Sequence, residues 1–421
     1  MTPTTSAWTT TAPVSTRHIA LATTALAMGG FAIGTTEFVT MGLLPEMADG
    51  VSVSIPTAGH VISAYALGVV VGAPVIAIFG ARLPRRALLL LLMGAFAVGN
   101  AASALAIGYD ALATARFFAG LPHGAFFGVA SLVAAAMVQP ARRGRAVSLV
   151  MLGLPVANVV GVPAATWMGQ HLGWRSAYWA VTLLGALTMA LIVLFVPATP
   201  PDPRATGRRE LRAFARPQVW LTLLVGAIGF GGMFAMYSYI APTVTDVAGL
   251  PKAAVPLYLL AFGVGGVVGT MLGGRLADWS IFRSLIASAV AMGLALVLFT
   301  ATAYHPVPGV LTVFLVATVG SVLVVNLQMR LMQVAGDAQT LGAAMNHSAL
   351  NAANALGAWL GGLVIAAGWG YTAPSWVGAA LSAGGLVVLL ASAALHRRTT
   401  NRDVAVTSDD RAAAYAASNT S

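Results

Sequence analysis

Apolar runs of about twenty residues, each closed by a short polar or glycine- and proline-bearing turn, repeat along nearly the whole chain. A helix rising 1.5 Å per residue needs about 20 largely apolar residues to cross a bilayer core. Twelve such runs fall at 19–44, 58–80, 87–107, 111–138, 146–169, 176–196, 218–245, 254–277, 285–304, 309–335, 342–368 and 375–395. The pattern predicts an all-α polytopic membrane protein. Residues 1–18 form a Thr- and Ser-rich tail. The first run lacks the short core and cleavage pattern of a signal peptide, so it is expected to remain as a span.

One break is longer than the rest. Residues 197–217 (PATPPDPRATGRRELRAFARP) are rich in proline and then in arginine, and they divide six runs from six. The organisation expected is a bundle over 19–196, a linker over 197–217, a second bundle over 218–395 and a polar, disordered tail over 396–421. The halves repeat. At an offset of 197, Gly34, Pro45, Gly68 and Gly72 meet Gly231, Pro242, Gly265 and Gly269; at 196, Asn158 and Gly161 meet Asn354 and Gly357. Parallel six-span repeats place a binding site at their interface.

Composition sharpens this reading. Of 421 residues, 58% are hydrophobic and 8% charged, against about 25% charged in soluble domains. The net charge of +10 could suggest nucleic acid. Its distribution speaks for lipid. Assigned by alternating loops, 18 of the 22 basic residues fall on one side, two (Arg175 and Lys252) on the other, and two (Arg116 and Arg330) within spans. The positive-inside rule then predicts cytoplasmic N- and C-termini. The chain has no cysteine, and its one lysine, Lys252, sits between Pro251 and Ala253, so no GxxxxGK[ST] loop exists. No clustered Asp, Glu and His suggests a metal site or acid–base catalysis. The expectation is a non-enzyme without cofactor or metal, partnered by the bilayer and a small molecule rather than nucleic acid, acting as a monomer.

Within the spans, chemistry is sparse. Glu37 is the one acidic residue well inside an apolar run. Intramembrane acids are costly and mark proton or ion relays. An apolar surrounding favours the neutral carboxyl and a nearby arginine favours the anion, so a group between them can change protonation. Arg116 lies at a depth similar to that of Glu37, which permits an ion pair. Arg330, near a span end, is read as snorkelling to the interface. His123, two turns from Arg116, could extend a relay. Asn158 and Asn354 occupy matching positions in the two halves; with Asn346, His347 and Asn351 they either line a cavity or bond helix to helix. Phe38, Phe234 and Tyr237 are candidate cavity aromatics. Small residues spaced by four, as in Gly68/Gly72 and Gly120/Gly124/Gly128, suit close helix approach. Pro155 and Pro163 would bend their helix and serve as hinges.

Four segments carry a family resemblance: GTTEFVTMGLLPEMA at 34–48, AIFGARLPRR at 77–86, RFFAGLPHG at 116–124, and GLPVANVVGVP at 153–163 with GWR at 173–175. In these spans and this order they resemble the major facilitator superfamily, in its twelve-span drug:proton antiporter branch. The resemblance to bacterial arabinose-efflux and chloramphenicol-resistance exporters spans about 19–395. It implies two pseudo-symmetric six-helix bundles in a bacterial inner membrane. It also implies proton-driven efflux of small amphipathic molecules by alternating access, the proton being the coupling ion. Exporters of sugars, nucleosides or an endogenous metabolite share the same resemblance. The family's loop pattern, roughly GxxxDRxGRR, is matched at Arg82, Arg85 and Arg86, whereas Ala81 stands in place of its aspartate; an aspartate returns in the second-half copy as Asp278. These residues are the expected conformational latch.

Overall fold

A computed structural model of the chain describes residues 16–80, 83–139, 142–198, 216–335 and 339–418. Most of the N-terminal tail, most of the 197–217 linker and Arg82 lie outside these residues. Among the described residues the regular structure is entirely helical. In hydrocarbon every backbone N–H and C=O must be satisfied within the protein, and a helix does this within each segment.

Eleven helices are long and apolar enough to cross a membrane: α1 Arg17–Gly42, α2 Ile55–Ile76, α3 Arg85–Leu105, α4 Tyr109–Ala136, α5 Arg145–Leu172, α6 Arg175–Phe195, α7 Pro217–Tyr237, α8 Lys252–Thr302, α9 Pro306–Val334, α10 Met345–Ala366 and α11 Ala373–Leu395. The sequence predicts twelve, and the difference falls entirely on α8. Its 51 residues would extend about 76 Å if straight, more than twice a bilayer core. Its backbone is extended at Ser280 (φ −172°, ψ 113°), where two helical segments meet at a kink. A second difference lies at the C-terminus. The helix beginning at Ala373 runs to Ser418, where a disordered tail is expected. No glycine or proline follows Gly385 to stop it.

Several spans are locally broken. In α4 the helix Tyr109–Gly120 is followed by His123–Ala136, with Pro122 at the junction; proline supplies no backbone donor. In α5, Pro155 lies in the short helix Gly153–Val156, residues Ala157–Gly161 form a π-helical turn, and Pro163 opens the helix Val162–Leu172. A further π-turn, Val225–Gly229, interrupts α7. Such turns are frequent at functional sites.

The internal repeat is visible in the packing. A Cβ on Gly68 would meet the carbonyl oxygen of Phe117, and one on Gly72 that of Leu121. In the second half, a Cβ on Gly265 would meet the carbonyl of Phe314, and one on Gly269 that of Thr318. Glycine and partner are each displaced by the same 197 residues. Backbone thus lies against backbone at two equivalent helix crossings, α2 on α4 and α8 on α9.

The halves are joined unevenly. From mid-bundle to the end bearing the 43–54 and 248–254 turns, one apolar cluster combines Phe38, Met41, Leu44, Ile62 and Val162 with Phe234, Tyr237, Val255, Leu259 and Phe262. At the opposite end each half keeps its own cluster, around Leu26, Leu89, Phe126 and Val150 in the first half and around Val219, Leu223 and Leu331 in the second. Polar contacts reinforce the joined end. Ser63 Oγ donates to the Ala355 carbonyl at 3.0 Å, Gln170 Nε2 donates to the Lys252 carbonyl at 3.1 Å, and Lys252 Nζ lies 3.4 Å from Glu46.

Candidate functional site

A cavity of about 190 Å³ sits between the halves, with Glu37 and Phe38 of α1, His123 of α4, Pro155 and Asn158 of α5, Phe234 of α7, Phe262 of α8, and His347 and Asn351 of α10 among its lining. A larger groove of about 790 Å³ lies in the first half, and one of about 650 Å³ lies on the outer face of the α2–α10 seam. They are lined mostly by apolar side chains and face outward along the helix bundle, as lipid-facing clefts do. The inter-half cavity is the smaller volume, but it is where the polar side chains converge.

Glu37 is buried, and Asn354 of α10 lies beside its carboxyl. Neither amide atom of Asn354 has a well-formed hydrogen bond. Arg116 is within electrostatic reach of Glu37, yet the expected ion pair is not formed: among the described residues the single ion pair is Lys252–Glu46. The guanidinium is held instead by the residue preceding the acid. Nη1 donates to Thr36 Oγ1 at 2.9 Å and Nη2 to the Thr36 carbonyl at 3.0 Å. Thr36 in turn donates to Asn100 Oδ1. The rings of Tyr65 and Tyr178 lie 4.3 and 5.2 Å from the guanidinium carbon. Fully buried Arg116 is therefore held by hydroxyl, carbonyl and π faces, with Nε unpartnered, and the Glu37 carboxyl lines the cavity.

From Arg116 a polar line crosses to the second half. Tyr65 Oη is 3.2 Å from His123 Nδ1. The His123 ring is 6.1 Å from that of His347, which stacks on Phe127 at 5.3 Å with 3° between planes. His123 Nε2 has no partner.

The remaining expected residues fall in three groups. Phe38, Asn158 and Phe234 line the cavity. Tyr237 stands behind its wall, stacked on Phe262 at 3.7 Å, and Asn346 is buried outside the lining with Oδ1 unpartnered. Of the expected latch, Arg86 Nη2 donates to the Val193 carbonyl, Arg85 is half-buried and Asp278 is exposed at the α8 kink. Arg330 does not snorkel. It is buried, with Nη2 3.3 Å from Gln218 Oε1 and its guanidinium 4.5 Å from the Phe282 ring. Sequence reasoning missed Phe230, Phe262, Thr270 and Ser321, which also line the cavity. Nothing in the local pattern distinguishes these from lipid-facing or packing residues. Phe262 reaches the cavity because α8 packs closely on α5, where the backbone of Asn158 lies against Gly263.

Comparison with known proteins agrees with this architecture. The sequence model of the Major Facilitator Superfamily matches residues 26–346. The chain is 40% identical to the inner membrane transport protein YdhP of Escherichia coli K12 over 87% of this chain and 94% of that protein. It is 35% identical to a chloramphenicol resistance protein of Streptomyces lividans (86% and 94% covered) and 34% identical to the putative transporter AraJ of Escherichia coli K12 (87% and 93% covered). In structure it is similar to a bacterial homologue of the human lysosomal transporter Spinster, crystallised inward-facing and unoccupied. That match has a TM-score of 0.69 at 17% identity and covers 90% of this chain and 96% of that one. It is equally similar to a D-xylose–proton symporter, with a TM-score of 0.69 at 16% identity, covering 88% and 97%.

Proposed function

The chain belongs to the major facilitator superfamily of membrane transporters, and from that premise we propose that it is a proton-coupled antiporter exporting small amphipathic molecules across a bacterial inner membrane. In this reading α8 supplies two spans, giving twelve, and both termini are cytoplasmic. The observation that carries the proposal is the Glu37 carboxyl, buried in the cavity between the halves and left without an ion-pair partner.

Glu37 takes a proton when the cavity faces outward, which helps to release substrate, and gives it up inward, which resets the site. The joined end, with its Lys252–Glu46 pair and shared apolar cluster, is then the outer seal. The separate clusters at the other end are where the halves part to admit cytoplasmic substrate. Each proton carried inward contributes about 2.3 kcal/mol per 100 mV and about 1.4 kcal/mol per pH unit, enough for a tenfold or larger outward gradient of a neutral substrate. The resistance protein among the relatives suggests chloramphenicol as the first probe. The test compares wild type with Glu37→Gln in proteoliposomes. The variant is expected to lose accumulation driven by an imposed pH gradient while retaining counterflow of labelled chloramphenicol. Gradient-driven transport that survives Glu37→Gln unchanged refutes the mechanism.

A further inference from the structure

Three features of the cavity constrain what it binds. The first is charge. Glu37 is the one charged residue in the lining, and Arg116 is turned onto Thr36 and the rings of Tyr65 and Tyr178. A carboxylate or phosphate on the ligand would meet an acid and no cation. The second is shape. Phe38 of the first half and Phe234 of the second lie within 14° of parallel with centroids 6.3 Å apart, and Phe262 lies 6.3 Å from Phe38. Rings from both halves thus form one aromatic wall, which favours a flat π surface. At about 190 Å³ the space falls below the roughly 300–1,000 Å³ of drug-sized pockets.

The third feature is the sense of the unmet hydrogen bonds. Asn351 spends its amide N–H on the His347 carbonyl at 3.0 Å, which fixes the orientation of the amide and leaves Oδ1 unpartnered. Asn158 Oδ1 is also buried and unpartnered. Both are acceptors on the cavity lining, one from each half. Buried polar groups are costly unless bonded, and an acceptor can be satisfied only by a donor.

Resting on the transport reading above, we infer that the substrate is a small, flat, non-anionic aromatic molecule of one or two rings whose N–H groups donate to Asn158 and Asn351. Such a ligand bridges the halves, since its ring faces and its donors are each shared between them. It differs from a sugar, which offers donors without a π face, and from an aromatic acid, for which the lining offers no lysine or arginine.

The test is equilibrium binding to the full-length protein in lipid nanodiscs, without a proton gradient, by calorimetry. Three probes of matched size are used: 2-aminoquinoline, quinoline and quinoline-2-carboxylate. Alkaline pH keeps the amine and the ring nitrogens uncharged. We expect the amino compound to bind about tenfold more tightly than quinoline, given about one to two hydrogen bonds, and the carboxylate to bind most weakly. Asn158→Ala and Asn351→Ala should each narrow the amino-to-unsubstituted ratio to about threefold or less, a ratio read within each variant and so independent of its overall stability. Equal affinity for quinoline and 2-aminoquinoline overturns the inference. So does tightest binding of the carboxylate, no binding of any quinoline, or a ratio that neither substitution changes. Loss of gradient-driven transport with the binding preference intact would refute the coupling mechanism and leave this inference standing.

Discussion

Arg116 shows how a buried cation is kept in an apolar bundle without a direct ion pair. Its depth was readable from the sequence, and an ion pair with Glu37 was the natural expectation. The structure gives it Thr36 instead, through one hydroxyl and one carbonyl. Whether two side chains at equal depth meet depends on the rotation of each helix, which span length does not report. Thr36→Val keeps the carbonyl and the volume but removes the hydroxyl, leaving Arg116 Nη1 without its acceptor and Asn100 Oδ1 without its donor. Loss of a buried partner costs about 1–3 kcal/mol, so the thermal unfolding midpoint in detergent should fall measurably. A midpoint equal to wild type would show that the Thr36 hydroxyl does not hold the arginine. Asn354, a repeat mate of Asn158, lies beside Glu37 but outside the cavity lining, so equivalence in the repeat does not make two residues equal in the site.

At the scale of elements, glycine spacing was legible and its consequences were not uniform. Gly120, Gly124 and Gly128 have the same spacing, yet their surroundings differ. A Cβ on Gly120 would lie against the Tyr65 carbonyl of α2, whereas one on Gly128 would meet nothing within 4 Å. Gly120→Ala should therefore push α2 from α4 at a cost of about 1–3 kcal/mol. Gly128→Ala should be neutral or slightly stabilising, since alanine favours helix by about 0.5–1 kcal/mol over glycine. Parallel thermal melts check the pair; equal losses for both would contradict the close crossing. The break in α5 was foreseen from Pro155 and Pro163 only as a bend, and the break in α4 at Pro122 was not foreseen. The π-turn at Ala157–Gly161, which precedes Pro163 and contains Asn158, follows from how the freed backbone groups find partners, a matter of neighbouring geometry.

For the whole molecule, the unequal joining of the halves makes a prediction about motion. The proposed alternating-access cycle requires the joined end to open on each turnover. Ser63 and the Ala355 backbone touch across that seam, and the chain has no native cysteine to interfere. Ser63→Cys combined with Ala355→Cys should cross-link under mild oxidant and stop transport, and reductant should restore it. Full transport by the cross-linked protein would mean that α2 and α10 do not separate there. Lys252–Glu46 is a weaker restraint, because Lys252 is 58% exposed and exposed pairs contribute about 0–1 kcal/mol.

The sequence by itself determined that this chain is a helical membrane protein built from two related halves. Hydrophobic run length is set by bilayer thickness, and the repeat is written in residues such as Gly68 and Gly265 that mark the same backbone crossings. It also singled out Glu37 and Arg116, because charge in an apolar run is conspicuous without any fold. Which side chains share the cavity was decided only by the tertiary structure. Phe38, Asn158, Phe262 and Asn351 come from four helices of two halves, and their meeting depends on helix rotation and on how closely the glycine crossings let the helices approach. Local pattern carries neither quantity.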